Sequence, residues 1–462
     1  MNIPVVTVGH SSDDLVGGLE RLHGPVSVVR RCGELAELLA ACQSGLARAA
    51  IVAEGSEELT ASLVDRLAAV GVAVLALTDS REEMARLHGI GVAAEPPGVG
   101  AAALASRITA AVAQLGADGT RPRYGADLAF ADTTSADAPF AGGERAGERA
   151  GGERAGGERA GGARPDGGTG GAPERAVTGQ LIAVWGPAGS PGRTLVAANI
   201  AGELAAEGKS VLLVDADSYG ASAAALLGLL DEAAGLAQAC RLADQGLLDG
   251  EALLRIATPV ATRSGTFRVL TGITRADRWT ELRAAALSRV LARARQIADV
   301  TVIDTGFCLE SDEELSFDTM APRRNAATLR SLELADTVFA VGAADSIGVP
   351  RLVRGLAELE AAVPQVSPRV VLNKVRAAAV GRSPERQLRD AWDRYGPTAP
   401  VSAFLPADAA ACDAALLAGS LLLETAPDSA LRKAIAGLVC APAQRTRRSS
   451  VFSSTAMGRL KR

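Results

Sequence analysis

The stretch Gln180–Glu203 reads QLIAVWGPAGSPGRTLVAANIAGE. Leu181–Trp185 is a short apolar run suited to a strand buried on both faces. Glycines, prolines and small residues fill the turn from Gly186 to Gly192, and an Ala/Leu/Ile-rich helix follows from Thr194. A strand, a glycine-rich turn and a helix N-terminus together aim free backbone N–H groups into one concavity. That concavity is an anion cradle.

Gly192-Arg193-Thr194 lies where a P-loop has Gly-Lys-Ser/Thr. The P-loop spacing also asks for a glycine five residues before Gly192; Pro187 stands there, with Gly186 one earlier. Arg193 replaces the usual lysine. It keeps the charge and can fork onto phosphate oxygens, but it is wider and planar. The expected phosphate-binding run is Gly186, Pro187, Ala188, Gly189, Ser190, Pro191, Gly192, Arg193, Thr194 and Leu195.

Working downstream, Val211–Val214 is a second buried strand and delivers Asp215 and Asp217 at its carboxyl end, where open parallel sheets bind ligands. Two carboxylates so placed can organise a metal-bound water and polarise an attacking one, or cap the next helix. The run VTVIDTGF puts Asp304 at the end of another strand, the Walker B arrangement, within reach of a Mg²⁺ shell. Further strands are read at Thr266–Ile273 and in DTVFAVGAAD, PRVVLNKV and APVSAFLPAD, which makes seven with crossover helices between them. Asn373 ends one of these on the side suited to a purine ring, and Pro406 lies in the segment that would close the ring's other face. The assignments are catalytic roles for Asp217, Asp215 and Arg193, and metal ligation by Thr194, Asp215 and Asp304.

Upstream, residues 1–116 alternate five strand and five helix patterns, a small doubly wound domain. It resembles a response-regulator receiver domain whose phosphorylation chemistry is absent. The phospho-acceptor position falls at Ala53 or Glu54, Thr78 matches the receiver hydroxyl, and Glu95 stands where the receiver has lysine. Docking or dimerisation is the expected use. Residues 117–178 hold the repeat AGGERAGERAGGERAGGERAGG, whose glycines and cancelling Glu-Arg pairs cannot build a core. A flexible tether of that length reaches roughly 40–45 Å, which would leave the two domains free of a packed interface. The fold class expected is thus α/β, two doubly wound parallel-sheet domains joined by a disordered linker.

At 462 residues the chain has room for two or three domains, and 48% apolar with only 3% aromatic residues means cores of Ala, Val and Leu. A net charge of −5 gives no general case for nucleic acid. The six cysteines lack Cys-x-x-Cys pairing, which points to reduced thiols in the cytoplasm and no zinc site. Neither a signal peptide nor a membrane span is read.

On the glycine turn with its Thr194–Asn199 helix start, and on VDAD, VIDTG, VVLNKV and FLPAD, residues 179–441 resemble the MinD/ParA group of P-loop ATPases. With the receiver-like domain, the whole resembles the CpaE/TadZ branch. The resemblance implies ATP and Mg²⁺ as cofactors, a Mg²⁺ ligand at Thr194 and a water-activating role at Asp217. It also implies an ATP-dependent homodimer, and protein partners in a polar, pilus or division machine. The group's signature lysine, which crosses the dimer to the partner's phosphates, belongs five residues before Arg193, and Ala188 stands there. Two readings stay open: an ATP-hydrolysing switch, and a non-hydrolysing scaffold. Arg323 and Arg324, after an acidic run from Glu310 to Asp318, are the expected replacement cations. A DNA-partitioning role is weaker, because the ATPase domain carries no basic stripe. Residues 442–462 form a basic tail, read as solvated, with contact to anionic lipid as the alternative.

Overall fold

Short apolar strands alternating with helices build a first parallel sheet from β1 (Ile3–Val8), β2 (Val26–Cys32), β3 (Ala49–Val52), β4 (Ala73–Leu77) and β5 (Ala93–Glu95), in the order β2-β1-β3-β4-β5. Each strand is followed by a helix: α1 (Asp13–Arg21), α2 (Leu35–Gln43), α3 (Ala61–Ala69), α4 (Arg81–Gly89) and α5 (Ala101–Ala117). β3 and β4 are buried along their whole length, as expected of strands covered on both faces. Glu95, at the receiver-lysine position, is ion-paired with Arg107 of α5 at 3.1 Å.

The computed structural model describes residues 2–9, 13–22, 24–117, 178–229, 233–310 and 323–440. The interior of the expected linker, the acidic run after Glu310 and the basic tail lie outside the described residues. Among the described residues no helix is long and apolar enough to cross a membrane.

The second sheet has eight strands: β6 (Gln180–Trp185), β7 (Val211–Ala216), β8 (Thr258–Thr262), β9 (Gly265–Leu270), β10 (Val300–Thr305), β11 (Thr337–Ala343), β12 (Arg369–Val375) and β13 (Val401–Pro406). Their order is β13-β12-β11-β6-β10-β7-β9-β8, and all neighbours are parallel except β8 with β9. Sequence reasoning anticipates every strand but β8. That strand sits at the sheet edge with a half-exposed pattern and contains Pro259, so no buried apolar run marks it.

The longer helices of this domain are α6 (Arg193–Ala206), α7 (Gly235–Asp244), α8 (Gly250–Ile256), α9 (Ala284–Ile297), α10 (Ala326–Leu334), α11 (Gly348–Ala362), α12 (Pro384–Tyr395), α13 (Ala409–Ala418) and α14 (Ala430–Val439). One face of the sheet packs α6, α13 and α14 around Val196, Ile200, Leu213, Val302, Ile435 and Leu438. The other packs α7, α8 and α9 around Leu212, Leu236, Leu253, Leu287 and Ile303. Glu203 of α6, 3% exposed, accepts two hydrogen bonds from Arg432 of α14, at 2.6 and 2.5 Å. A paired, twice-bonded buried charge holds α6 in place.

The two sheets are docked, which corrects the expectation of tethered domains without a packed interface. The Ser62 N–H and hydroxyl donate to Asp244 at 2.8 and 2.6 Å, and Arg86 donates to the Gln245 carbonyl at 3.0 Å. Arg289 of α9 donates to the Gly89 and Ile90 carbonyls at 3.1 and 2.6 Å and lies 3.8 Å from Asp65. Ala285 of α9 is buried in the hydrophobic core of the amino-terminal sheet. Burial raises the Asp65 carboxyl and lowers the Arg289 guanidinium from their ordinary values, so each depends on the other for its charge. No sequence pattern announces the interface, because single residues scattered over several helices make it. Arg289→Ala should cost about 2–3 kcal/mol by leaving Asp65 and two carbonyls unpaired. Calorimetry should then resolve two thermal transitions where the unaltered chain gives one coupled transition; an unchanged melt would contradict the docking.

Candidate functional site

β6 lies between β10 and β11. The chain leaves β6 through α6 to β7 on one side of it and later returns to β11 on the other. The crevice at the carboxyl end of β6 is therefore the topological switch point, where such sheets bind ligands. The glycine turn fills the rim of that crevice. Its backbone is left-handed at Gly189 (φ 112°), Ser190 (φ 53°) and Gly192 (φ 98°). At Gly192 a Cβ would also lie 2.6 Å from the Asn373 amide nitrogen, so glycine is required twice over.

Asn373, near the end of β12, is buried. Its Nδ2 donates to the Pro191 carbonyl at 2.8 Å and its Oδ1 accepts from the Lys374 N–H at 2.8 Å. Lys374 donates from Nζ to the Ser190 carbonyl at 2.7 Å. The pair clamps the turn. Pro406 closes β13 opposite Val375, one strand further out.

The first turn of α6 begins at Gly192 with no side-chain cap, and its first internal bond runs from the Val196 N–H to the Gly192 carbonyl. The N–H groups of Arg193, Thr194 and Leu195 thus have no partner within the helix and face the turn. Ala188, Gly189 and Ser190 form the exposed tip. The Arg193 guanidinium is folded under that tip. It donates to the Thr305 carbonyl (3.0 Å), the Gly186 carbonyl (3.0 Å), the Pro187 carbonyl (3.4 Å) and Asp217 Oδ2 (3.2 Å). Of its five N–H bonds, one remains for a ligand.

Three buried carboxylates stand beneath. Asp217 Oδ1 accepts the Tyr219 and Gly220 N–H groups at 2.8 and 3.2 Å, and its Oδ2 pairs with Arg193. Asp215 accepts the Ser222 and Ala223 N–H groups, both at 2.9 Å, and the Asp217 N–H at 3.2 Å. Three backbone donors thus bond its oxygens, as in the capping alternative. Asp304 Oδ2 accepts from the Thr194 hydroxyl at 2.6 Å, and that hydroxyl lies 3.2 Å from Ser222 Oγ. Asp304 Oδ1 is buried without a hydrogen-bond partner among the described residues. Burial pushes the Asp215 carboxyl up to about 6. Burial, and then the neighbouring Asp215 charge, push Asp304 well above its ordinary value.

A bare, buried carboxylate oxygen next to a threonine hydroxyl is what a hard divalent cation would complete. No group of three or more His, Cys, Asp or Glu side chains able to hold a metal occurs among the described residues. Mg²⁺ needs only one or two, since it keeps waters and phosphate oxygens. Thr194 and Asp304 fit that role.

Sequence reasoning misses Ser222, Thr305 and the pin across the Glu310–Arg323 segment, where the Tyr219 hydroxyl donates to Asn325 Oδ1 at 2.8 Å. Asn325 in turn donates to the Glu310 carbonyl at 2.8 Å. Thr305 follows Asp304 within VIDTG, but neither Ser222 nor the Tyr219–Asn325 pair belongs to a motif whose spacing could have found it. Of the two arginines expected as replacement cations, Arg324 stacks on the Tyr219 ring at 4.1 Å, and Arg323 is exposed.

Fold and site together define a nucleotide-binding α/β domain of the P-loop class. The chain belongs to the CobQ/CobB/MinD/ParA nucleotide binding domain family, whose profile matches residues 182–417, just over half of its length. Among solved structures it is similar to the cell division ATPase MinD of Pyrococcus furiosus, at 21% identity and TM-score 0.43 over 56% of this chain and 96% of that one. It is also similar to a ParA family ATPase from Chlorobium tepidum, at 19% identity and TM-score 0.46 over 56% of this chain and 98% of that one. MinD of Pyrococcus horikoshii, solved with Mg-ADP, matches at 19% identity and TM-score 0.43 over 56% and 93%. No curated protein matches the chain.

If Asp304 is an uncompensated buried charge in the ligand-free protein, Asp304→Asn should raise stability by about 1–3 kcal/mol at pH 8. The amide oxygen still accepts from Thr194. A lower melting temperature would show that the charge is already neutralised.

Proposed function

We propose that the chain is an ATP- and Mg²⁺-dependent switch ATPase of the MinD/ParA kind. It pairs with a second copy when nucleotide is bound and positions a pilus, secretion or division machine through protein partners. The observation that carries this reading is the bare Asp304 oxygen beside the Thr194 hydroxyl, under an uncapped helix N-terminus. The N–H groups of Arg193, Thr194 and Leu195 receive phosphate oxygens, and Thr194 and Asp304 hold the cation. When bound, Mg²⁺ neutralises phosphate charge. Asp217 Oδ2 orients water beside the turn, and Asp215 fixes the Asp217–Ser222 loop that carries it. Arg193 keeps one N–H for phosphate and trades loop carbonyls for more.

A second reading, a partner-binding scaffold without turnover, is favoured by one observation: the Arg193 guanidinium is largely bonded within the protein. In either case Thr194→Ala should weaken ATP binding in Mg²⁺ by about tenfold or more, and much less in chelator. Calorimetric titration in both conditions checks this; equal losses would remove Thr194 from the metal site.

For the amino-terminal domain, we propose a docking module without phosphorylation, of the CpaE/TadZ kind, with the domain boundaries read above. The Glu95–Arg107 pair supports this, since a carboxylate there repels an acyl phosphate. Incubation with acetyl phosphate should leave the intact mass unchanged. A stable adduct lost on Glu54→Gln would overturn it.

A further inference from the structure

The charges around the turn do not balance. Three buried carboxylates, Asp215, Asp217 and Asp304, lie beneath the turn with the guanidinium of Arg193, whose N–H groups are mostly committed to Gly186, Pro187, Thr305 and Asp217, while the Lys374 ammonium on the turn's outer side is committed to the Ser190 carbonyl. A nucleoside triphosphate with its cation adds about two further negative charges at neutral pH. In a water-poor crevice such an excess repels strongly. Position 188 is an alanine and supplies nothing.

A cleft of about 410 Å³ opens beside the turn, between Pro187–Gly189 and the loop Ala343–Gly348 after β11. Arg351, from the first turns of α11, forms part of its wall. Its guanidinium stands over Gly189: Nη1 lies 2.6 Å from where a Cβ would be, so a side chain at 189 would expel it. The one carboxylate in the cleft wall is Asp345, and it accepts the Ile347 and Gly348 N–H groups at 3.1 and 2.7 Å. Among the described residues Arg351 has no acidic partner. Arg376, in the same wall, already donates to the Lys374 carbonyl at 3.1 Å. Arg324 is engaged with the Tyr219 ring, over which it stacks at 4.1 Å.

We propose that Arg351 is the second phosphate-binding cation of this site, taking the terminal phosphate of a nucleoside triphosphate beside Ala188. This rests on the nucleotide-site reading above. An arginine fits the task because its planar fork meets two phosphate oxygens at once and stays charged on approach to the crevice. The phosphate belongs to nucleotide in the same turn or in the turn of a second copy; the chemistry is shared, and the test separates the two.

Full-length wild type, Arg351→Ala, Arg351→Lys and Arg354→Ala are titrated with ATP and with ADP in Mg²⁺. Their sedimentation is then measured with each nucleotide. Arg354 is an exposed residue of the same helix outside the cleft, and it controls for charge alone. Arg351→Ala should lose about tenfold or more of ATP affinity while ADP affinity changes less than about threefold, with partial rescue by lysine and none of this in Arg354→Ala. Loss in dilute monomer assigns the phosphate to the same chain. Loss confined to the ATP-dependent sedimenting dimer, with monomer affinity intact, assigns it to a second copy. Arg351→Ala behaving as wild type toward ATP in both measurements, or losing ATP and ADP equally, overturns the proposal. Wild type that binds neither nucleotide overturns the site reading beneath it as well.

Discussion

Three carboxylates buried at the carboxyl ends of β7 and β10 set the terms for everything around them. Ionised groups out of water demand hydrogen bonds or counter-charges, and the chain meets that demand in three ways. Backbone N–H groups from the Asp217–Ala223 loop satisfy Asp215. The guanidinium of Arg193 answers Asp217, and the Thr194 hydroxyl answers half of Asp304. The remaining Asp304 oxygen is buried with no hydrogen-bond partner among the described residues.

The glycine turn above the carboxylates is held from the opposite side by Asn373 and Lys374, which donate to successive carbonyls at Pro191 and Ser190. β12 thus fixes the outer wall of the cradle, while Glu203–Arg432 and the Asn199–Leu422 hydrogen bond fix the helix behind it. Fixed donors are what an anion site needs, since they cost little reorganisation when the ligand arrives. Lys374 adopts a left-handed φ of 62° to make its contact, strain that the surrounding strand pairing sustains.

The amino-terminal sheet is part of the same packed body. α10 starts beside the site, where Thr328 lies against Gly306, and two residues later its buried Arg330 donates to Ser288 of α9 at 2.7 Å. The next residue of α9, Arg289, holds the amino-terminal domain through the Gly89 and Ile90 carbonyls. α10 thus packs at one end beside Gly306 and bonds through Arg330 to the helix that holds the docked domain. Interfaces of this kind are carried by a few well-buried groups more than by area.

The sequence alone determined the two α/β domains, seven of the eight strands of the larger sheet, and the positions of Thr194, Asp215, Asp217 and Asp304 at strand or helix ends. Those features are local: buried parallel strands are apolar runs, and a glycine turn before a helix is a contiguous pattern. What only the tertiary structure decided is how the polar groups are partnered. Asn373, expected on the side of a purine ring, donates to the Pro191 carbonyl, and Asp215, expected as a metal ligand, accepts three backbone N–H groups. The docking of the domains and the approach of Arg351 to Gly189 join residues more than 150 positions apart. Such contacts depend on how helices pack across a sheet, and no spacing along the chain encodes them.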